Sequence, residues 1–243
     1  MASPLTPHIH LLCMHRQHAE VFVRAVLRYH LPSSVTFEIH ETALQSIPAR
    51  TKFDLVVSPA NSYGRLDGGF DDAISKTFSP PCDYFALTRA VQDVLYREWC
   101  GFAPPGTCTL VRIPEEFSIT SKNVWGAKYL ALCPTMRTPQ SVEWDREIVY
   151  RTIWSLLVSI DKHNRQVLHA GHDSDGESIT IRGILLTPLA TGTGRVSAER
   201  WAAQMVLAVK HFVNAKQYPG IWSRLTPPDI TGITNDLEGT WCM

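Results

Sequence analysis

The sequence predicts an α/β protein: a three-layer α/β/α sandwich with a central mixed, largely parallel sheet. Short apolar runs alternate along the chain with segments of helical period, a pattern typical of strands joined by crossover helices. Apolar residues make up 44% of the 243 residues, which is enough for a sizeable core. Two glycine-bearing segments each follow an apolar run and precede a helical pattern, as loops at the carboxyl ends of parallel strands do. We expect a single domain over residues 1–243.

The first predicted elements are a strand, a helix and two further strands. Strands over residues 9–14 and 35–39 flank a helix over about residues 17–29, because the apolar residues of that helix recur with a helical period. The next strand covers residues 53–57. A short helix from Asp71 is expected to end before Pro80, since proline cannot continue it.

The middle of the chain is predicted to hold two helices and two strands. Asp83 is a suitable cap for the first helix, and strands over residues 107–113 and 129–133 follow it. Thr138 stands before a proline and predicts the start of the second, long helix. Residues 163–177 are mostly polar and are interpreted as a loop.

The C-terminal part is predicted to contain one more strand and one more helix. The strand covers residues 179–186, and Ser197 caps a helix that runs to about Val213. From about residue 214 the tail contains three prolines and shows no clear period, so we expect irregular structure there.

The composition argues against several classes of partner. Lys+Arg and Asp+Glu both total 23, so no net charge favours a general attraction to nucleic acid. The six cysteines show no CxxC spacing and fit a reducing compartment. No basic start followed by an apolar run and no stretch of about 18 apolar residues occurs, which predicts neither a signal peptide nor a membrane partner. We expect a cytoplasmic or nuclear location.

The first glycine-bearing segment follows the strand over residues 53–57. Pro59 stops that strand, because proline has no N–H to donate and holds the preceding residue extended. Residues that tolerate positive φ come next: Asn61, Gly64, Gly68 and Gly69. A helix start follows at once, so backbone N–H groups and a helix N-terminus meet, and this favours an anion.

The second segment repeats this arrangement after the strand over residues 179–186. It reads Gly192-Thr193-Gly194-Arg195 and leads into the helix that Ser197 caps. Two such loops at neighbouring strand ends would face one crevice, where a molecule with two phosphates could bridge them. An ordinary strand-to-helix turn is the alternative for either loop alone.

Polar side chains near the first loop could act on such a ligand. The amide of Asn61 suits the hydroxyls of a ribose, although an asparagine in a turn often bonds its own backbone. Asp71 or Asp72 could orient or deprotonate a water, or could simply stabilise the first helical turn. Asp67 would repel a phosphate unless it is turned away.

Neither a metal ion nor a cofactor is predicted. The segment from His169 to Asp173 contains metal-ligand residue types, but its spacing matches no closed zinc pattern. A surface loop is the preferred interpretation.

The first loop also resembles a known family signature. Ser58-Pro59-Ala60-Asn61, followed by Asp67-Gly68-Gly69-Phe70-Asp71-Asp72-Ala73-Ile74, resembles the macrodomain pattern of an Asn-Ala-Ala-Asn type turn, a glycine run and a Val-Asp-x-Ala-Ile helix start. Ser58-Pro59 and Asp67 depart from the usual pattern, and no Gly-Asp-Ile segment follows the first strand. The chain resembles a divergent macrodomain, of a fungal macro-like type.

This resemblance implies an α/β/α fold that binds ADP-ribose or ADP-ribosylated protein, with hydrolysis in some members. It implies that Asn61 holds the distal ribose and that Asn61 and Asp71 are the catalytic residues. The residues that it places around the ligand are Ser58, Ala60, Asn61, Gly68, Gly69, Gly192, Thr193, Gly194 and Arg195. A reader that does not react, or a binder of another nucleotide, is the alternative function.

Overall fold

The central layer is a six-stranded sheet with the order β2-β1-β6-β3-β5-β4. The computed structural model describes residues 5–170 and 178–243. The strands are β1 (His8–Leu12), β2 (Phe37–His40), β3 (Leu55–Ser58), β4 (Thr109–Arg112), β5 (Tyr129–Leu132) and β6 (Gly183–Leu186). All neighbours are parallel except β4, which is antiparallel to β5. The predicted mixed, largely parallel sheet is confirmed.

Helices cover both faces of this sheet. They are α1 (Arg16–Arg28), α2 (Gly69–Phe78), α3 (Ala86–Trp99), α4 (Glu115–Thr120), α5 (Ile148–Ala170), α6 (Ala198–Gln217), α7 (Pro219–Trp222) and α8 (Pro227–Glu238). None of the helices in the described residues is long and apolar enough to cross a membrane.

The side chains of β3 show how the three layers form. Leu55 and Val57 join the apolar cluster that contains α1, α5 and α6, whereas Val56 joins the cluster that contains α2 and α3. Alternate residues of a strand point to opposite faces, so one apolar run supplies both cores. The predicted α/β/α sandwich is therefore the observed architecture.

The long helix α5 differs from its predicted bounds at both ends. It begins at Ile148 rather than near Thr138, because the intervening segment packs on the second glycine loop, where Val142 N donates to Gly194 O at 2.9 Å. It continues to Ala170 through residues predicted as a loop. Asn164 stabilises this extension, since its side chain forms hydrogen bonds of 2.7 and 2.9 Å with the backbone of Ile181.

His169 accordingly lies in the last turn of α5 and not in a surface loop. The rest of that predicted loop, which includes His172 and Asp173, lies outside the described residues.

The predicted irregular tail from about residue 214 is wrong, because α6 runs to Gln217 and two more helices follow. The prolines that suggested irregularity stand at the first positions of α7 and α8, where a missing N–H costs no helical hydrogen bond. Thr226 and Asp229 form a reciprocal capping box at the start of α8.

Candidate functional site

A crevice of about 410 Å³ opens at the carboxyl ends of β1, β6, β3 and β5. Both glycine loops line it, together with the start of α2 and the connection between β1 and α1. Strands β1 and β3 lie on either side of β6, so their following loops reach the same edge of the sheet. This is the usual ligand position in an open α/β sheet, and the volume lies within the range of small-molecule pockets.

The first loop presents unpaired backbone donors at the N-terminus of α2. The helix begins at Gly69, earlier than the predicted Asp71. Gly69 has a φ of +56°, a backbone conformation that residues with side chains disfavour. The N–H groups of Gly68, Gly69 and Phe70 donate to no described residue. Together with the positive end of the helix dipole, they make an environment suited to a negative group.

Asp67, the carboxylate that would oppose such a group, is paired with Arg65. Arg65 Nε donates to Asp67 Oδ2 at 2.9 Å, and a second guanidinium nitrogen contacts the same oxygen. Both side chains line the crevice. The ion pair offsets the negative charge that the sequence placed beside the glycines.

The second loop is closed by two backbone hydrogen bonds. Arg195 N donates to Gly192 O and Val196 N donates to Ala190 O, each at 3.0 Å. The N–H groups of Gly192, Thr193 and Gly194 are not used within the described part of the chain. These three residues line the crevice, whereas Arg195 does not.

The two glycines of this loop have different steric surroundings. A Cβ on Gly194 would lie 2.5 Å from Ala190 O, so the close approach of these two backbone segments requires glycine. A Cβ on Gly192 would meet no described atom within 4 Å. A side chain at position 192 therefore has open space, whereas one at position 194 would collide with the backbone of Ala190.

Asp71 lines the crevice but is itself only 8% exposed. Ser58 Oγ, fully buried at the end of β3, donates to Asp71 Oδ1 at 2.6 Å. Burial raises the pKa of Asp71 to about 7; the Ser58 hydrogen bond opposes this rise, and the charge of Asp67 adds to it. The side chain therefore exchanges its proton near neutral pH.

Ser58 holds the Asp71 carboxyl through this hydrogen bond and does not line the crevice itself.

Asp72, the neighbouring carboxylate, instead accepts hydrogen bonds from Lys76 at 2.7 Å and from Tyr84 at 2.8 Å. These two hydrogen bonds lower the pKa of Asp72. Asp71 and Asp72 therefore differ: the first is a buried acid with a raised pKa, and the second is a half-buried carboxylate with a lowered pKa.

Asn61 lines the crevice and also bonds its own loop. Its Oδ1 accepts from Tyr63 N at 3.0 Å, and its Nδ2 donates to Arg65 O at 3.4 Å. This is the turn-stabilising alternative that the sequence left open. One acceptor lone pair and one N–H of the amide stay unused in this geometry.

Other residues in the crevice were missed by sequence reasoning. Met14 and His15 line it from the connection between β1 and α1, and His18 lines it from the first turn of α1. The strand order places this segment beside the second loop. Thr135, just after β5, contributes a hydroxyl that is buried and has no hydrogen-bond partner among the described residues. The only available signal was the position of each residue after a predicted strand.

Of the predicted site residues, the structure brings eight into one crevice: Ala60, Asn61, Gly68, Gly69, Asp71, Gly192, Thr193 and Gly194. Their roles toward a ligand stay predictions.

No family model and no curated protein matches the chain. Among solved structures, a mutant macrodomain from Oceanobacillus iheyensis with ADPR is 15% identical, with a TM-score of 0.47 over 68% of this chain and 73% of that chain. The same macrodomain with ADP is 15% identical, with a TM-score of 0.43 over 67% of this chain and 73% of that chain. An APL macrodomain from Oryza sativa in complex with ADP-ribose is 14% identical, with a TM-score of 0.42 over 65% of this chain and 97% of that chain.

These matches are macrodomains, the family that the sequence resembles.

Proposed function

We propose that the chain binds ADP-ribose, or a close derivative, in the crevice between its two glycine loops. The observation that carries this proposal is that Gly68 and Gly69 line the same crevice as Gly192 and Gly194, and that their N–H groups have no partner among residues 5–170 and 178–243. Two sets of backbone donors facing one cavity suit two linked phosphates better than one.

The groups beyond the loops suit a sugar. Asn61 keeps one donor and one acceptor, which matches the adjacent hydroxyls of a ribose. Asp71 lies at the start of α2 beside the first loop, so a ribose next to the first phosphate would lie near this carboxyl. The partner is therefore ADP-ribose itself, or a protein that carries it.

Calorimetric titration of the folded protein with ADP-ribose and with AMP tests the binding. We expect one ADP-ribose per chain and at least tenfold weaker binding of AMP, which has one phosphate. Gly192→Val fills the open space of the second loop and is expected to weaken ADP-ribose binding at least tenfold without lowering the unfolding temperature.

Gly220→Val is the matched control, because Gly220 lies in α7 outside the crevice and also has no described atom near its Cβ position. The absence of heat with folded wild type would contradict the proposal. So would an equal effect of the two valine substitutions.

The pKa of Asp71 favours a second function at the same site, which is hydrolysis. A carboxylate that titrates near pH 7 can accept a proton at the pH of the reaction. In the proposed step, Asp71 takes a proton from a water whose oxygen attacks the distal ribose or its phosphate. The bond to the leaving group breaks, and that group keeps the electron pair and takes a proton from solvent.

Asp71→Asn distinguishes a hydrolase from a reader. If the wild type releases ADP-ribose from modified protein, or phosphate from ADP-ribose 1''-phosphate, the variant should lose that turnover and still bind ADP-ribose. Full turnover by the variant would contradict the role of Asp71. Binding by the wild type with no turnover on either substrate identifies a reader.

A further inference from the structure

Two cysteines face each other beside the edge strand β4 and its neighbour β5. Cys108 immediately precedes β4, and Cys133 immediately follows β5. The two strands are antiparallel, and their register pairs Thr109 with Leu132. One step further along the same register, Cys108 lies opposite Cys133. Neither cysteine lines the crevice described above.

Hydrogen bonds hold the two chain segments together on both sides of this pair. The last pair of the ladder lies on one side, and on the other Gly106 N donates to Pro134 O at 2.8 Å. Cys133 N donates to Ser58 O of β3 at 2.8 Å and therefore points away from β4. Opposite residues that exchange no hydrogen bond have Cα atoms about 4.5 Å apart. This separation lies within the range of about 4.4–6.8 Å that a disulfide can span.

The side chains of the two cysteines share one face of the sheet. Opposite residues of an antiparallel pair point to the same face. Cys133 belongs to the apolar cluster that contains α1, α5 and α6, and Cys108 packs against the same cluster. Burial raises the pKa of the Cys133 thiol, and contact with Cys108 raises it further. The two sulfurs are therefore neighbours, and both cysteines are free thiols in this structure.

The two thiols differ in exposure, which sets the order in which they can react. Cys108 is half-buried, whereas Cys133 is fully buried. A thiol must be accessible to meet an oxidant in solution. An oxidant therefore reaches Cys108 first, and Cys133 reacts with the sulfur of Cys108.

We propose that Cys108 and Cys133 form a reversible disulfide that joins β4 to β5 when oxidised glutathione is present. The Cys108 thiolate attacks one sulfur of oxidised glutathione, a bond forms between these two sulfurs, and one glutathione leaves as its thiolate. The Cys133 sulfur then attacks the Cys108 sulfur and loses its proton to solvent. The protein disulfide forms as the second glutathione leaves. Two protein thiols are oxidised, and one oxidised glutathione is reduced to two thiols. This modification does not depend on a ligand in the crevice.

Thiol trapping and mass spectrometry of the folded wild type test this disulfide. The protein is equilibrated with oxidised glutathione and then with excess reduced glutathione, and free thiols are blocked with iodoacetamide at each stage before digestion. We expect a peptide that links Cys108 to Cys133 in the first sample and its loss in the second. Because a disulfide restricts the unfolded chain, the oxidised protein should unfold about 5 °C or more above the reduced protein. Cys108→Ser and Cys133→Ala should each abolish this difference.

Two controls separate this pair from the other cysteines. Cys13→Ala removes a thiol that is as buried as Cys133, and Cys100→Ser removes an exposed one. Both variants should keep the linked peptide and the shift in unfolding temperature.

Three results would overturn the proposal. The first is the absence of the linked peptide in folded wild type, including the case of a stable glutathione adduct on Cys108. The second is a shift in unfolding temperature that persists in Cys108→Ser, which also decides the question if Cys133→Ala does not fold. The third is loss of the linked peptide in a folded control variant.

Discussion

Replacing Asp71 with asparagine is expected to stabilise the protein increasingly as the pH rises. Burial raises the pKa of Asp71 from its ordinary value of 3.8 to about 7. An asparagine at this position keeps an oxygen that can accept the 2.6 Å hydrogen bond from Ser58. The substitution therefore removes the titration and leaves the hydrogen bond and the side-chain volume in place.

The sign of this change in stability follows from the number of protons that the folded and the unfolded chain bind at position 71. Between about pH 4 and pH 7 the folded chain keeps a proton on Asp71 that the unfolded chain has lost. The free energy of unfolding of the wild type therefore falls as the pH rises through this window. From the difference between these two pKa values, ionisation of Asp71 lowers the free energy of unfolding of the wild type by at most about 4 kcal/mol above pH 7. Below pH 4 it lowers this free energy by almost nothing.

Urea unfolding of the wild type and of Asp71→Asn between pH 4 and pH 8 measures this difference. Asp72→Asn is the matched control, because the hydrogen bonds from Lys76 and Tyr84 lower the pKa of Asp72. Its effect should have the opposite sign, with the variant less stable than the wild type above about pH 4. A constant difference between Asp71→Asn and wild type across the pH range would refute a raised pKa. The proposed base role would then lose its support.

Three further predictions concern the loops and the tail. Gly194→Ala should lower the free energy of unfolding by about 1–3 kcal/mol, because its Cβ would lie 2.5 Å from Ala190 O; Gly192→Ala should not, and urea unfolding compares the two. Thr135→Val removes a buried hydroxyl without a partner among the described residues, so calorimetry and urea unfolding should show weaker ADP-ribose binding with equal or higher stability. Thr226→Ala breaks the capping box of α8 and should cost about 0.5–2 kcal/mol in urea unfolding; no loss would show that this cap does not contribute to stability.

The sheet could be predicted from the sequence because its signal is local. Strands such as β3 and β6 are short apolar runs buried on both faces, and each is followed by glycines or proline. The cap of α6 was equally local, since Ser197 accepts a hydrogen bond from Arg200 N as its position suggested.

The predictions of the α5 start and of the tail were wrong for different reasons. The start of α5 is displaced because Val142 binds Gly194, a contact across more than fifty positions that no periodicity reveals. The helices of the tail were not predicted because the tail contains prolines. A proline inside a helix ends it, but a proline in the first turn is compatible with the start of a helix, as in α8.

The two loops of the candidate site were found from sequence, and its chemical detail was not. Glycines after a strand indicated where backbone donors would lie. The pairing of Arg65 with Asp67 and the burial of Asp71 beneath the crevice depend on side-chain packing.

The proposed binding and the proposed hydrolysis would place opposite demands on Asp71. A diphosphate held at the first loop brings negative charge near the carboxyl, which further favours its protonated form. By linkage, protonation of Asp71 strengthens the binding of the same ligand. Attack by water requires the ionised form, so we expect binding to be strongest below the pKa of about 7 and proton removal to be fastest above it. A carboxyl that titrates near neutral pH would serve both proposed steps, whereas a fully exposed aspartate in its place would be ionised throughout and would oppose the ligand.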